Sequence, residues 1–167
     1  NKVAVLAAFY PLVVLAAGWA DLPSGVWAAL YAIAIVSMIV GNVGAVVQPN
    51  IKRMLAYSSV AHSGYAIVPL VALLGAGAAG GSSLIEDAGR AIAYYFLAYT
   101  LMTLLAFGIA ASLGPVGESR IAHYAGLVRR NPGVAFMMLL AMISLLGIPG
   151  TDGFYGKFKL FSVAVAA

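Results

Sequence analysis

Gly147-Ile148-Pro149-Gly150-Thr151-Asp152-Gly153 is the stretch that decides the fold. It follows only about 14 apolar residues that begin at Gly133, and it carries three glycines, a proline and an acid. Proline lacks the backbone donor a helix needs, and glycine readily leaves helical conformations. The spacing therefore predicts a broken helix, with the break near residues 147–153, a second half over about 154–167, and Thr151 or Asp152 as its cap.

What surrounds the break gives it its meaning. Of 167 residues, 63% are hydrophobic and 8% charged, at a mean hydropathy of +1.02. A soluble domain carries roughly a quarter of its residues as Asp, Glu, Lys and Arg. Five acids and nine bases do not coat a 17 kDa globule, so the exterior meets lipid. Unwound backbone at membrane depth is tolerated only where protein or water satisfies it, and the break thus implies a polar interior.

Outward from the break, apolar segments of spanning length alternate with short polar joints. The approximate spans are 3–18, 26–47, 51–74, 88–113 and the interrupted 133–146 plus 154–167. They form a polytopic, all-α transmembrane bundle read as a single membrane domain, 1–167. Pro11 predicts a kink in the first span, Ser24 a cap for the second and Asn50 a cap for the third. Gly41 and Gly44 among alanines predict close helix approach. The chain starts at Asn1 without a basic n-region or cleavage site and stops within the apolar run from Leu160 to Ala167, which reads as an internal piece of a longer membrane protein.

If the spans alternate in direction, one face receives Lys2, Lys52, Arg53, Arg120, Arg129 and Arg130 against the single acid Glu118. The other receives Asp21, Glu86 and Asp87, opposed by Arg90. The positive-inside rule places the basic loops in the cytoplasm or its organellar equivalent. The alanine- and glycine-rich composition favours a bacterial plasma membrane.

The absence of cysteine excludes disulfides, thiolate zinc, iron–sulfur ligation and thiol nucleophiles. A net charge of +4, dispersed along the chain, excludes a nucleic-acid patch. No nucleotide loop, paired catalytic carboxylate or Ser–His–Asp arrangement occurs.

The residues left to carry chemistry are few. Lys157, just past the break and expected in the first turn of the second half-helix, meets desolvation and the positive end of the helix dipole, with Asp152 as the opposing charge. A lysine so placed suits a proton relay; the alternative is that Lys157 and Lys159 mark a water-facing helix end. His62, roughly 16 Å into its helix, lies near the bilayer midplane among Tyr57, Ser58, Ser59, Ser63 and Tyr65. That face either passes protons or merely satisfies an interhelical hydrogen bond. Lys52 is a proton entry or an anchor, and Arg53 reads as an anchor. Tyr99, Thr100 and Thr103 either line the same interior or pack.

Two blocks carry a family resemblance: Gln48-Pro49-Asn50-Ile51-Lys52-Arg53-Met54-Leu55-Ala56-Tyr57-Ser58-Ser59-Val60-Ala61-His62-Ser63-Gly64-Tyr65, and Tyr124 to Pro132 continuing through Ser144 to Phe158. They resemble the antiporter-like membrane subunits of proton-pumping NADH:quinone oxidoreductase, respiratory complex I, and within them the N type. The resemblance implies part of a bundle of about fourteen helices with inverted repeats, each holding a broken helix. It implies proton translocation, with Lys157 as the terminal lysine of the second half-channel; the residues themselves offer His62, Lys52, Tyr57, Ser59, Tyr99 and Asp152 as the rest of a path, and Tyr99 and Asp152 depart from the family's pattern. The first half-channel is expected upstream of Asn1. No redox centre is expected in this chain: NADH, FMN, iron–sulfur clusters and quinone belong to partner subunits. The implied partners are neighbouring antiporter-like subunits and the lipid bilayer. Two other readings share the motifs, a subunit of a multi-subunit cation/proton antiporter and a non-conducting structural subunit.

Overall fold

The computed structural model describes residues 24–76, 81–113 and 120–166. The expected first span, Lys2, Pro11, Asp21 and Glu118 lie outside the described residues. The described chain forms α1 (Ser24–Val46), α2 (Ile51–Ala76), α3 (Gly81–Ser112), a 3-10 turn (Ile121–Tyr124), the single turn α4 (Leu127–Arg130), α5 (Pro132–Leu146) and α6 (Asp152–Ala166). The described residues are all-α, and α1, α2 and α3 are each long and apolar enough to span a bilayer.

Small residues set the closest contact. A Cβ on Gly41 would collide with the Ala61 backbone, one on Gly44 would meet the Tyr57 ring, and one on Gly64 would lie 2.9 Å from the Ala34 carbonyl. Only glycine lets α1 and α2 approach so closely. The other face of α1 shows Val36, Ile39 and Val43 more than half exposed, the pattern of a lipid-facing surface.

Asn50 caps α2 as expected, its Oδ1 accepting from the Lys52 and Arg53 amides at 3.0 and 3.3 Å. α3 is the central element and packs on α2, α5 and α6. It begins at Gly81, seven residues before the sequence-based start at residue 88. Its 32 residues extend about 48 Å, well beyond the hydrocarbon core. The extra turns hold Glu86 and Asp87, which hydropathy alone assigns to a loop, and Arg90 follows just inside the expected span. Glu86 accepts from Arg90 at 3.1 Å, an exposed pair one turn apart.

At the opposite end of α3, the Ile121 amide donates to the Pro49 carbonyl at 2.8 Å, and Asn50 pairs with Arg120. The loop before α2 and the loop after α3 therefore share one end of the bundle. This end carries Lys52, Arg53 and Arg120, as the charge asymmetry requires.

The break spans residues 147–151 between α5 and α6. Pro132 occupies the first turn of α5, where its missing N–H costs nothing. Gly147, at φ +84°, ends α5 in the left-handed conformation; its amide donates to the Ile143 and Ser144 carbonyls while the Ile148 amide donates to Ile143. Thr151 takes the cap position of α6 through its carbonyl, which accepts from the Phe154 and Tyr155 amides. Its hydroxyl turns back to Ile148 O at 2.8 Å, and Asp152 lies in the first turn.

Candidate functional site

The chemistry gathers where α6 folds back against α5, α3 and α2. α5 ends with four carbonyls lacking intrahelical donors, as any helix does. The Gly147 turn satisfies those of Ile143 and Ser144. The amine of Lys157 donates to the other two, Leu145 O and Leu146 O, each at 3.1 Å. Lys157 is the sixth residue of α6, so it stands in the second turn and not the first. Helical side chains lean toward their own N-terminus, and the stem of Lys157 runs back over the first turn to the break. The amine thus sits at the negative end of the α5 dipole, whereas sequence reasoning placed it at the positive end of α6.

Gly153 and Gly156 make this possible. A Cβ on Gly153 would overlap the Ser144 carbonyl, and the Gly153 amide donates to Ser144 Oγ at 3.3 Å. On Gly156 a Cβ would lie 3.1 Å from the Tyr95 ring. The two glycines let α6 lie directly on α5 and α3.

Beside the amine is a small cavity of about 10 Å³, walled by His62, Tyr95, Tyr99, Ser144, Gly153 and Lys157 among others. That volume is near the minimum for one water. His62, only 6% exposed, is hydrogen-bonded through Nδ1 to the Tyr95 hydroxyl. Tyr99 stacks on the imidazole with ring centroids 4.1 Å apart, and Tyr65 meets it edge-on at 5.5 Å. Ser58 and Ser59 of α2 lie near the Tyr99 phenol, with the Ser59 hydroxyl donating to Ala56 O at 2.6 Å. Lys157 Nζ lies 5.7 Å from the centre of the Tyr65 ring, whose hydroxyl accepts from Asn42 at 3.1 Å.

Of the residues singled out from the sequence, Lys157, His62 and Tyr99 line one cavity, with Ser59 against Tyr99. Three others lie apart. Lys52 is at the far start of α2, roughly 15 Å before His62 along the axis. Tyr57 turns its ring toward Gly44 on α1. Asp152 is exposed and accepts from the Tyr94 hydroxyl at 3.4 Å, with no ion pair to Lys157. Five helical residues place Asp152 and Lys157 about 140° apart around α6, too far for the pairing that neighbours three or four apart achieve. Thr103 is buried but donates to Tyr99 O and Thr100 O of its own helix.

Sequence reasoning missed Tyr95 and the role of Ser144. Tyr95 precedes Tyr99 by one turn and shares its face, a signal present in the sequence. A larger groove of about 530 Å³, walled by Tyr124, Phe136, Met138 and Met142 among others, is apolar and holds no cation, carboxylate or imidazole. The small cavity, with a lysine, an imidazole and two phenols among its walls, is therefore the candidate site.

The family model described as NADH:quinone oxidoreductase/Mrp antiporter, TM matches residues 2–167. NADH-quinone oxidoreductase subunit N of Trichlorobacter lovleyi is 42% identical over 153 residues, covering 90% of this chain and 28% of its own. The subunit N of Nitrosomonas europaea is 41% identical over 155 residues, covering 92% and 30%. That of Bdellovibrio bacteriovorus is 44% identical over 135 residues, covering 79% and 26%. The chain spans less than a third of the length of these curated relatives.

Proposed function

The chain belongs to the NADH:quinone oxidoreductase/Mrp antiporter transmembrane family, and on that premise we propose that it is part of an N-type, proton-translocating membrane subunit of an NADH:quinone oxidoreductase. The observation that carries this reading is the amine of Lys157, held at the break of α5 and α6 on the wall of the cavity it shares with His62. An ionisable side chain placed inside a membrane is costly and is retained for function. Here it shares a cavity with an imidazole and phenols, groups that take up and release protons or pass them through hydroxyls.

In this reading Lys157 holds and releases the transported proton, His62 exchanges it along α2, and Tyr99 with Ser59 extends the hydroxyl chain. Lys52, Tyr57 and Asp152 lie off this cluster, so a part for them requires a longer path through the rest of the subunit. Flavin, iron–sulfur clusters, NADH and quinone are handled by partner subunits, and the neighbours are other membrane subunits of the complex and lipid. The basic end, with Lys52, Arg53, Arg120, Arg129 and Arg130, faces the cytoplasm of a bacterial plasma membrane. The relatives named subunit N favour this reading over a cation/proton antiporter.

The test is proton uptake by proteoliposomes containing the whole complex with Lys157→Ala, beside NADH oxidation under an uncoupler. The proposal expects pumping to fall while assembly and uncoupled electron transfer stay near wild type. An unchanged ratio of protons pumped to NADH oxidised would make Lys157 a helix-end anchor and refute it.

A further inference from the structure

Tyr95 has no part in the path described so far, yet its hydroxyl bonds His62 Nδ1 and its side chain lines the cavity beside Lys157. Its ring is 2% exposed and belongs to the core formed with Ala66, Ile92 and Leu160. Gly156 lets α6 close on that ring, which brings the next residue, Lys157, beside the same cavity.

The chemistry of the pair is specific. A phenol both donates and accepts, and each imidazole nitrogen donates or accepts according to its proton. With the proton of neutral His62 on Nε2, the Tyr95 hydroxyl donates to Nδ1. When His62 is an imidazolium, Nδ1–H donates to the Tyr95 oxygen and the phenolic proton turns into the cavity. The buried hydrogen bond is kept in both states, so a change of charge on His62 orphans neither partner.

We infer that Tyr95 is the hydroxyl through which His62 exchanges protons with the Lys157 cavity, an inference that rests on the proposed proton path. The transfer needs one water in the cavity. The Lys157 ammonium gives a proton to that water, the water gives one of its own to the Tyr95 oxygen, and the original phenolic proton passes to His62 Nδ1. One N–H bond breaks at Lys157 and one forms at His62, while water and phenol are regenerated. The products are a neutral amine and an imidazolium, and the reverse sequence restores the start. Tyr99 does not replace Tyr95 in this step, because it meets the imidazole face to face.

The test uses the whole complex in proteoliposomes, with Tyr95→Phe, His62→Gln, the double variant and Lys157→Ala measured side by side. Phenylalanine keeps the core packing and the contact with Gly156 and removes only the hydroxyl. Tyr95→Phe is expected to lower the rate of proton uptake about a hundredfold, the low end of what a positioned proton-transfer group supplies, with uncoupled NADH oxidation near wild type. The double variant is expected to pump no worse than His62→Gln alone, because both break one link. Normal pumping by Tyr95→Phe, failure of that variant to assemble, or a deficit that adds to that of His62→Gln would each overturn the inference. If Tyr95→Phe pumps normally while Lys157→Ala does not, the relay through Tyr95 fails and the proposed function stands. Normal pumping by Lys157→Ala refutes the proposed function itself.

Discussion

Replacing Gly153 with alanine tests the geometry that brings Lys157 to the end of α5. The added methyl group would overlap the carbonyl of Ser144, a backbone atom that no rotamer change removes. One half of the broken helix has to move away from the other, stretching the Gly153–Ser144 hydrogen bond and the reach of Lys157, which lies one turn further along the same face. Overpacking of this kind costs about 3 kcal/mol, at the upper end because backbone is involved. Alanine in a helix recovers about 1 kcal/mol of propensity, leaving a net loss near 2 kcal/mol. Gly108 on α3 is the internal control, since a Cβ there meets nothing within 4 Å. Gly108→Ala should therefore gain about 1 kcal/mol from the same propensity term. The two single-methyl changes are separated by about 3 kcal/mol, more than a hundredfold in the folded ratio. Thermal dissociation of the detergent-solubilised complex, followed by the fraction still assembled at each temperature, reads that separation. Equal midpoints for Gly153→Ala and Gly108→Ala would refute the close approach of α5 and α6.

Three further outcomes follow from the same contacts. Asn50→Ala removes the acceptor for the Lys52 and Arg53 amides and should cost about 1 kcal/mol, whereas Asn50→Asp keeps the cap and should cost less; thermal midpoints of the two variants compare them. Gly41→Leu forces α1 from the Ala61 backbone and should lower the yield of assembled complex on native gels, while Ile39→Leu on the exposed face of α1 should not. Glu86→Gln removes an ion pair whose side chains are 66% and 74% exposed, and the midpoint should shift by less than the equivalent of about 0.5 kcal/mol.

The break at Gly147 to Gly153, the cap at Asn50 and the close contact at Gly41 and Gly44 were legible in the sequence, because each rests on one residue type with one local geometry. Hydropathy placed α1 and α2 within two or three residues of their ends. It shortened α3, since it marks the length immersed in lipid and not the turns that project with Glu86 and Asp87. The site was legible as a list but not as an arrangement. Distance from the break locates Lys157 in sequence, but the direction of its side chain, which carries it back to Leu145 and Leu146, depends on the helical geometry of α6. Asp152 was paired with Lys157 by proximity in sequence, although the helical angle between them separates them. The spacing of Tyr95 from Tyr99 marks a shared face of α3, but its partner is not legible there, because no local pattern in α3 announces a histidine 33 residues earlier.

Lys157 has two roles in this account, as the donor that completes the end of α5 and as the group that gives up a proton. Lys157→Arg separates them, because guanidinium donates to carbonyls as well as ammonium does and does not deprotonate in a protein. The decisive measurement is proton uptake by proteoliposomes of the whole complex carrying Lys157→Arg, with the thermal midpoint of assembly recorded on the same preparation. A midpoint near wild type together with loss of pumping is the expected result. Retained pumping at an unchanged midpoint would contradict it and leave Lys157 as a helix-end donor alone.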